Sequence, residues 1–203
     1  MPGLFVTIEG IDRSGKTTQA GRLVEALGDE ALLVREPGGT PAGERIRELL
    51  KDPAVTLSAR TEALLFAAAR AELVESVIRP ALEAGRVVVS DRYLDSSLAY
   101  QGHARGLGED DVRRLNEWAT AGLVPDLTVL LRIEPQAAAA RAGHSDRFED
   151  EGAGLQHAVA DAYERLGAAA PERWHAVDAA RDEDAVHADV LALVERARAG
   201  TPA

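Results

Sequence analysis

The chain has 203 residues, 46% of them hydrophobic and 4% aromatic, which is enough to bury one core built mainly from Leu, Val, Ile and Ala. Its 34 acidic and 23 basic side chains give a formal charge of −11, which disfavours nucleic-acid binding and requires a local arginine cluster for any anionic substrate. The absence of Cys excludes disulfides and thiolate metal sites, and with neither a signal-peptide pattern nor a membrane-length apolar stretch we expect a cytoplasmic protein without membrane contact.

The first predicted elements are a strand, a loop and a helix in direct succession. An apolar run at residues 4–8 predicts the strand, and apolar residues at helical spacing from Ala20 to Leu27 predict the helix. The loop between them fits the pattern GxxxxGKS/T, in which backbone N–H groups and a helix N-terminus bind phosphate. We predict that Lys16 reaches the outer phosphates of a nucleotide and that Thr17 binds Mg²⁺. The predicted phosphate-binding residues are Gly10, Ile11, Asp12, Arg13, Ser14, Gly15, Lys16, Thr17 and Thr18.

A second strand and a proline-bounded loop follow. The short apolar run at residues 31–34 predicts the strand, and residues 35–41 (REPGGTP), with two prolines around a glycine pair, predict a loop. A cis bond before Pro37 stays open at this point. Residues 42–51 indicate a short helix that carries Arg45 and Arg47.

A long helix is predicted from its N-cap Ser58 to Pro80, because apolar residues recur there at helical spacing. Phe66 and Arg70 are four residues apart on this helix and therefore share a face, which can set an aromatic ring and a guanidinium against one ligand. The spacing is equally consistent with Phe66 in the core and Arg70 in solvent.

Polar side chains cluster after the next predicted strand, at residues 86–91. Asp91 ends this strand, at the edge of an open α/β sheet where ligands lie. The eleven residues from Asp91 to Gln101 combine an acid, a base, hydroxyls and an amide, which favours a binding site over a solvated helix start. The candidates in this segment are Asp91, Arg92, Ser96, Ser97, Tyr100 and Gln101.

The remaining elements complete an alternating order. Strands are predicted at residues 127–131 and 174–177, and helices at 137–141, from 148 to 166 and from 186 to 197. This alternation predicts an α/β fold of the P-loop NTPase type, with a parallel sheet of about five strands and helices on both faces, in a single domain spanning residues 1–203.

A few conspicuous residues are not assigned to the site. The sequence has five histidines (His103, His144, His157, His175 and His187), none at metal-ligand spacing, and we expect them on the surface or in loops. Trp118 and Trp174 are expected to pack in the core or at an interface, and Arg132 is given no role.

Regulatory GTPases and motor ATPases share the phosphate loop, so a second feature must decide the chemistry. Arg35, Arg47, Arg70 and Arg92 all lie in segments that should gather at the strand ends, where guanidiniums can hold a second phosphate. A non-catalytic nucleotide switch would leave these arginines unexplained, and the guanine-binding pattern Asn-Lys-x-Asp is absent from the sequence.

Several motifs together resemble those of bacterial thymidylate kinases, and the resemblance spans residues 3–198. The motifs are Glu9-Gly10 before the phosphate loop, REPGGT at 35–40, Phe66 with Arg70, Asp91-Arg92-Tyr93 through Ser97 and Tyr100-Gln101, PDLT at 125–128, and DRFE at 146–149.

This resemblance implies transfer of the ATP γ-phosphoryl group to dTMP with Mg²⁺ as cofactor. It implies Arg13, Lys16, Asp91 and Arg92 as catalytic residues and Thr17 with Asp91 at the metal. It also implies a lid at about residues 136–150 that closes over ATP, with Arg141 and Arg147 contacting ATP, and a homodimer formed through helices that include residues 58–79. The implied dTMP-binding residues are Asp12, Glu36, Pro37, Arg47, Phe66, Arg70, Arg92, Ser96, Ser97, Tyr100 and Gln101.

Two questions stay open at the level of sequence. The arginine that faces the transferring group is Arg13, which we favour, or one of Arg141 and Arg147 in the lid. The acceptor is dTMP or, as the alternative, another nucleoside monophosphate or a deoxynucleoside.

Overall fold

The computed structural model describes residues 3–141 and 153–200. The strands in this part of the chain are β1 (Leu4–Glu9), β2 (Ala31–Arg35), β3 (Val87–Asp91), β4 (Leu127–Arg132) and β5 (Trp174–Asp178). They form one parallel sheet in the order β2-β3-β1-β4-β5. The prediction of a parallel α/β sheet of about five strands is confirmed.

Helices surround this sheet. Strands β1, β3 and β4 are buried along nearly their whole length, which requires cover on both faces of the sheet. Across the described ranges, no helix is long and apolar enough to cross a membrane. The α-helices are α1 (Lys16–Leu27), α2 (Pro41–Lys51), α3 (Ala59–Leu73), α4 (Arg79–Glu83), α5 (Leu94–Ser97), α6 (Glu109–Ala119), α7 (Pro135–Ala139), α8 (Ala153–Ala169) and α9 (Glu183–Arg198), with π-helical turns at Val74–Ile78 and Leu98–Ala104.

The register of the strands brings their carboxyl ends to one edge. Ile8, the penultimate residue of β1, pairs with Asp91, the last of β3, and Asp91 pairs with Arg35, the last of β2, so the carboxyl ends of the three strands lie side by side. The phosphate loop, the proline-bounded loop and the segment after Asp91 all leave the sheet at this edge. Parallel pairing therefore gathers three of the predicted site segments in one place.

The long helix differs from its prediction at one end. Ser58 caps α3 as expected, since its hydroxyl oxygen accepts a hydrogen bond from the Thr61 amide (3.2 Å). The expected end at Pro80 is wrong, because the chain stays helical through the π-helical turn and α4 to Glu83. Pro80 lies inside this continuous helical run, directly after the π-helical turn, and prolines and π-helical turns are both recognised irregularities within a helix.

Two further open points are resolved. The peptide bond between Glu36 and Pro37 is cis. Trp174 is buried as expected, but Trp118 is 84% exposed, so packing in the core is excluded for it and only the interface alternative stays a prediction.

Candidate functional site

The shape of the phosphate loop depends on Gly10. Its φ is 148°, and a Cβ at this position would lie 2.7 Å from the Ser14 hydroxyl oxygen and 2.8 Å from the Leu131 carbonyl oxygen. Only glycine combines this backbone angle with so little space. Arg13, at φ 61°, adopts the left-handed conformation without being glycine, and such strain at ordinary residues concentrates at functional sites. The loop is thus held in the turn that leads into α1.

Lys16 is buried beneath this loop. Its Nζ donates to the Ile11 carbonyl oxygen (2.6 Å) and to the Ser14 hydroxyl oxygen (3.4 Å). Burial, reinforced by the positive charge of Arg92, lowers the pKa of Lys16 to about 8. A phosphate oxygen would offer this ammonium a charged acceptor in place of a neutral carbonyl.

Thr17 and Asp91 form the candidate metal position. The Thr17 hydroxyl donates to Asp91 Oδ2 over 2.5 Å, which joins the start of α1 to the end of β3. Mg²⁺ prefers hard oxygen ligands and is typically held by one or two carboxylates together with substrate phosphates and water. The pair fits that role, and within residues 3–141 and 153–200 no larger cluster of acids and histidines suggests a different metal site.

Arg92 and Asp12 form the second charged pair of the site. Arg92 directly follows β3 with φ 73°, and its Nη2 contacts the Asp12 carboxylate. The Tyr100 hydroxyl donates to the other Asp12 oxygen (3.1 Å). Burial alone would raise the pKa of Asp12, but Arg92 and Lys16 outweigh it and lower that pKa. A carboxylate is therefore fixed beside the phosphate loop, where it can accept from a sugar hydroxyl.

Gln156, on α8, is a site residue that the sequence interpretation missed. Its Oε1 accepts from the Asp12 amide (3.1 Å), and its Nε2 donates to Asp12 Oδ2 (2.7 Å). The two bonds orient both the backbone and the side chain of Asp12. No local pattern marks Gln156, because it lies 144 residues away along the chain.

Glu9 is a second missed residue and lies fully buried behind Arg92. Its Oε1 accepts from the Tyr93 amide (2.8 Å), and its Oε2 accepts from the hydroxyls of Ser96 (2.6 Å) and Tyr163 (2.9 Å). Burial and then the nearby Asp95 raise the pKa of Glu9 to about 7. Glu9 is the only charged residue of β1 and comes directly before the phosphate loop, and that position was the signal available in the sequence.

Arg70 forms the floor of the site. It is 1% exposed, so the alternative that placed it in solvent is wrong. All three of its guanidinium nitrogens are engaged: Nε and Nη2 contact Glu36, while Nη1 donates to Ser97 and to Asn116. The other Glu36 oxygen, Oε1, is buried without a partner, and burial raises the pKa of Glu36 despite Arg70. Arg70 is thus a fixed part of the floor in this arrangement.

These side chains enclose a cavity of about 250 Å³, which we call cavity 1. Of the residues that the structure describes, seven basic and three acidic side chains line it, in a chain whose overall charge is −11. Arg35, one of the four arginines expected at the strand ends, is part of this lining, and so is Lys51, for which no ligand role was assigned. All of the residues predicted to bind the acceptor are included: the lining is Asp12, Arg13, Lys16, Thr17, Arg35, Glu36, Pro37, Arg47, Lys51, Phe66, Arg70, Asp91, Arg92, Ser96, Ser97, Tyr100 and Gln101.

A second cavity of about 450 Å³, cavity 2, is lined by the phosphate loop, the start of α1 and residues near the start of α9. Arg13, Lys16 and Thr17 line both cavities. Gly10 and Ile11 line neither cavity. Gly10 contributes through the shape of the loop, and Ile11 contributes the carbonyl oxygen that holds Lys16. Cavity 2 adds residues that the sequence interpretation missed, on α9 and the turn before it; the lining is Arg13, Ser14, Gly15, Lys16, Thr17, Thr18, Gln19, Arg141, Ala179, Arg181, Glu183 and Val186.

The candidate arginines occupy different positions. Arg141 is tied to the backbone, because Nη1 donates to the carbonyl oxygens of Arg13 (3.2 Å) and Ser14 (3.0 Å), and Nη2 donates to that of Ala179 (2.5 Å). Arg13 makes longer contacts of 3.4 Å with the carbonyl oxygens of Ala139 and Arg141. Arg147 lies outside the described residues, as does most of the predicted lid.

The residues without an assigned role lie elsewhere. Arg132 forms an exposed ion pair with Glu164 (2.5 Å). No histidine of residues 3–141 or 153–200 lines either cavity, and His144 falls outside those ranges.

Comparison with known proteins gives one consistent result. The thymidylate kinase family model matches residues 8–190. The chain is 46% identical to the thymidylate kinase of Deinococcus radiodurans over 198 residues, covering 95% of this chain and 96% of that protein. It is 44% identical to that of Lactobacillus delbrueckii subsp. bulgaricus over 205 residues, covering 96% and 97% of the two chains.

A solved structure agrees with the sequence relatives. The crystal structure of thymidylate kinase from Ehrlichia chaffeensis superposes with a TM-score of 0.81 at 30% identity, covering 96% of this chain and 100% of that one. The order of the sheet, the phosphate loop at its carboxyl edge and the near full-length match to relatives and to the family model lead to one conclusion: the chain belongs to the thymidylate kinase family.

Proposed function

We propose that this protein transfers the γ-phosphoryl group of ATP to dTMP, giving dTDP and ADP. The observation that carries the proposal is the meeting of two cavities at Arg13, Lys16 and Thr17. Phosphoryl transfer needs little covalent help from a protein and depends on holding two anions in line while charge moves between them. The family supplies the identity of the donor and the acceptor.

In this proposal, ATP occupies cavity 2 and dTMP occupies cavity 1. Among the described residues that line cavity 1, Phe66 carries the only aromatic ring without a polar atom, which suits it to stacking on the base. Arg47 and Arg92 flank the acceptor phosphate, and Asp12 accepts from the sugar hydroxyl. The guanidinium nitrogens of Arg70 already contact Glu36, Ser97 and Asn116, so Arg70 supports the acceptor site from the floor of cavity 1.

The proposed cofactor is Mg²⁺, held by Thr17 and Asp91 together with ATP. When bound, it neutralises phosphate charge during transfer. The residues of this chain supply the rest: Lys16 holds outer phosphate oxygens, and Arg92 with Asp12 fixes the acceptor against them.

Arg13 is our choice for the arginine that stabilises the transferring group, because it lines both cavities whereas Arg141 lines only cavity 2. The lid at about residues 136–150 would exclude water and so limit ATP hydrolysis. We propose this lid, and a single domain spanning residues 1–203, as parts of the same kinase.

We also infer a homodimer in the cytoplasm, where ATP is available. Large apolar side chains are exposed on three helices: Leu49 on α2 (40%), Leu64 on α3 (57%) and Trp118 on α6 (84%). Helix α3 contacts both α2 and α6, so these side chains lie on adjoining elements. Such exposure favours a partner surface over open solvent, and sedimentation equilibrium would measure the mass directly.

The decisive experiment measures ADP formation from ATP and Mg²⁺ against dTMP, dUMP, dCMP, AMP, GMP and thymidine. We expect dTMP to give the highest kcat/KM. Turnover of thymidine or AMP alone would contradict the proposal, and ATP binding without turnover of any acceptor would instead support a nucleotide switch.

A further inference from the structure

Glu62 is a buried acid on α3 that lies outside both cavities. It is 1% exposed and lies four residues before Phe66 on the helix. Its Oε1 accepts from Gln101 Nε2 (2.9 Å) and from Arg105 Nε (3.1 Å), and its Oε2 accepts from Arg105 Nη2 (3.2 Å). The reaction proposed above assigns it no task.

The contact with Glu62 fixes the orientation of the Gln101 amide. A carboxylate paired with a guanidinium can only accept, so the amide nitrogen of Gln101 must face it. Turning the amide over would place two acceptor oxygens against each other in a buried position, which is costly. The group that Gln101 can offer cavity 1 is therefore its carbonyl oxygen.

Ser97 has the opposite polarity for a similar reason. It lies four residues before Gln101 and lines the same cavity. Its hydroxyl oxygen accepts from Arg70 Nη1 (3.1 Å), and a guanidinium can only donate. The Ser97 proton is thus left to donate in another direction. In the lining of cavity 1, Gln101 therefore presents an acceptor and Ser97 presents a donor.

This pair distinguishes two kinds of pyrimidine. Thymine and uracil carry an N3–H donor beside the O4 acceptor, whereas cytosine carries an N3 acceptor beside an amino donor. We propose that Glu62, acting through Gln101, is a positioning residue that sets the hydrogen-bond polarity of the base pocket and so selects an imide-type pyrimidine over cytosine. The inference rests on the proposed function and names the residue behind its base specificity.

The test compares kcat/KM for dTMP, dUMP and dCMP in Glu62→Gln. A glutamine at this position can donate to the Gln101 oxygen, which allows the Gln101 amide to turn and to offer its NH₂ group to the cavity. We expect the dTMP to dCMP ratio to fall about tenfold to hundredfold, mainly through KM, because one polar group of the site becomes mismatched. The dTMP to dUMP ratio should stay unchanged, since both bases present the same imide edge.

Two further variants separate polarity from packing. Arg105→Lys disturbs the same buried corner but keeps a cation beside Glu62, so both ratios should be retained. Gln101→Met fills the same space without an acceptor, and it should lower the dTMP to dCMP ratio even if Glu62→Gln fails to fold. Thermal denaturation of each variant shows which of them are folded.

The outcomes distinguish this inference from the proposed function. A wild-type protein that does not phosphorylate dTMP overturns the function. A wild-type protein that prefers dTMP, with the dTMP to dCMP ratio unchanged in Gln101→Met and in any folded Glu62→Gln, overturns only the role of Glu62. If the dTMP to dUMP ratio fell as much as the dTMP to dCMP ratio, the cause would be a general packing defect, and this result would also overturn the role of Glu62.

Discussion

The two sides of the site are built differently. On the ATP side the charged groups contact mainly backbone: Lys16 donates to a loop carbonyl, and Arg141 donates to three more. On the acceptor side Arg70 and Arg92 also form ion pairs with other side chains, in addition to their contacts with backbone carbonyls. Arg70 pairs with Glu36, and Arg92 pairs with Asp12, in buried or half-buried positions.

This difference matches what each side must recognise. A triphosphate is bound well by backbone N–H groups and a few cations, which any nucleotide satisfies equally. Selecting one nucleoside monophosphate requires side chains in fixed orientations, and interlocked ion pairs provide them. Because burying charges is costly, we expect the acceptor side to be the one where specificity and stability are coupled.

The largest effect should come from the junction of the two sides, at Arg13. We expect Arg13→Ala to lower kcat by about a thousandfold or more with a small change in the KM for dTMP, because the guanidinium would act on charge that develops only during transfer. Steady-state kinetics with both substrates varied would measure this. Arg132→Ala, which removes an exposed arginine outside both cavities, is the control. An unchanged kcat in Arg13→Ala would move the role to Arg141 or Arg147.

A slightly smaller effect, on stability as well as binding, is expected for Arg70→Ala. The change leaves Glu36 buried without its partner, which typically destabilises a protein by about 3–5 kcal/mol. Urea denaturation would measure the loss, and the KM for dTMP should rise because the floor of cavity 1 loses its support. Arg35→Ala breaks the exposed pair with Glu44 and should cost less than about 1 kcal/mol. Equal destabilisation by both changes would contradict the contrast between buried and exposed pairs.

The phosphate loop and the strand order could be predicted from sequence because their signals are local. The loop residues are contiguous, and the alternation of apolar runs and helical spacing defines a parallel sheet. The acceptor residues were also within reach, since Phe66 and Arg70 share one helix and the segment from Asp91 to Gln101 is contiguous in sequence. Parallel pairing then had to bring those elements together, and the register of β1, β2 and β3 does so.

The supporting residues could not be predicted, because their partners are distant in sequence. Gln156 reaches Asp12 and Tyr163 reaches Glu9 from α8, across 144 and 154 positions. In the sequence, Glu62 is indistinguishable from an ordinary polar residue in the first turn of α3, because its contact with Gln101 forms only in the fold. The expected helix end at Pro80 is wrong for another reason: a π-helical turn, which apolar spacing does not mark, lies directly before the proline, and the chain stays helical through both.

Glu9 offers a way to test the acceptor side through pH. Its pKa is raised from 4.5 to about 7, so between these values the folded state keeps a proton that the unfolded state has lost. This group therefore stabilises the fold at low pH, and its contribution, on the order of 3 kcal/mol, is lost as the pH rises to about 7. Glu9→Gln mimics the protonated acid and should remove that dependence.

The measurement is the difference in unfolding free energy between wild type and Glu9→Gln at several pH values. The difference should shift in favour of the variant as the pH rises from 4.5 to 7. Glu164→Gln, which alters an exposed acid on α8, should show no such trend. A constant difference for Glu9→Gln across this range would mean that Glu9 is charged throughout.

The smallest expected effect lies on the ATP side and concerns Lys16. Because its pKa is lowered to about 8, its positive charge is lost as the pH rises through that value. If the ammonium holds the outer phosphates, ATP should bind about tenfold more weakly at pH 9 than at pH 7, and binding at pH 9 should take up a proton. Calorimetry in buffers of different ionisation enthalpy measures both quantities. Lys16→Met should bind ATP weakly at either pH and without proton uptake, since the titrating group is gone. Proton uptake that persists in Lys16→Met would assign it to another group and would leave the backbone of the loop as the main phosphate ligand.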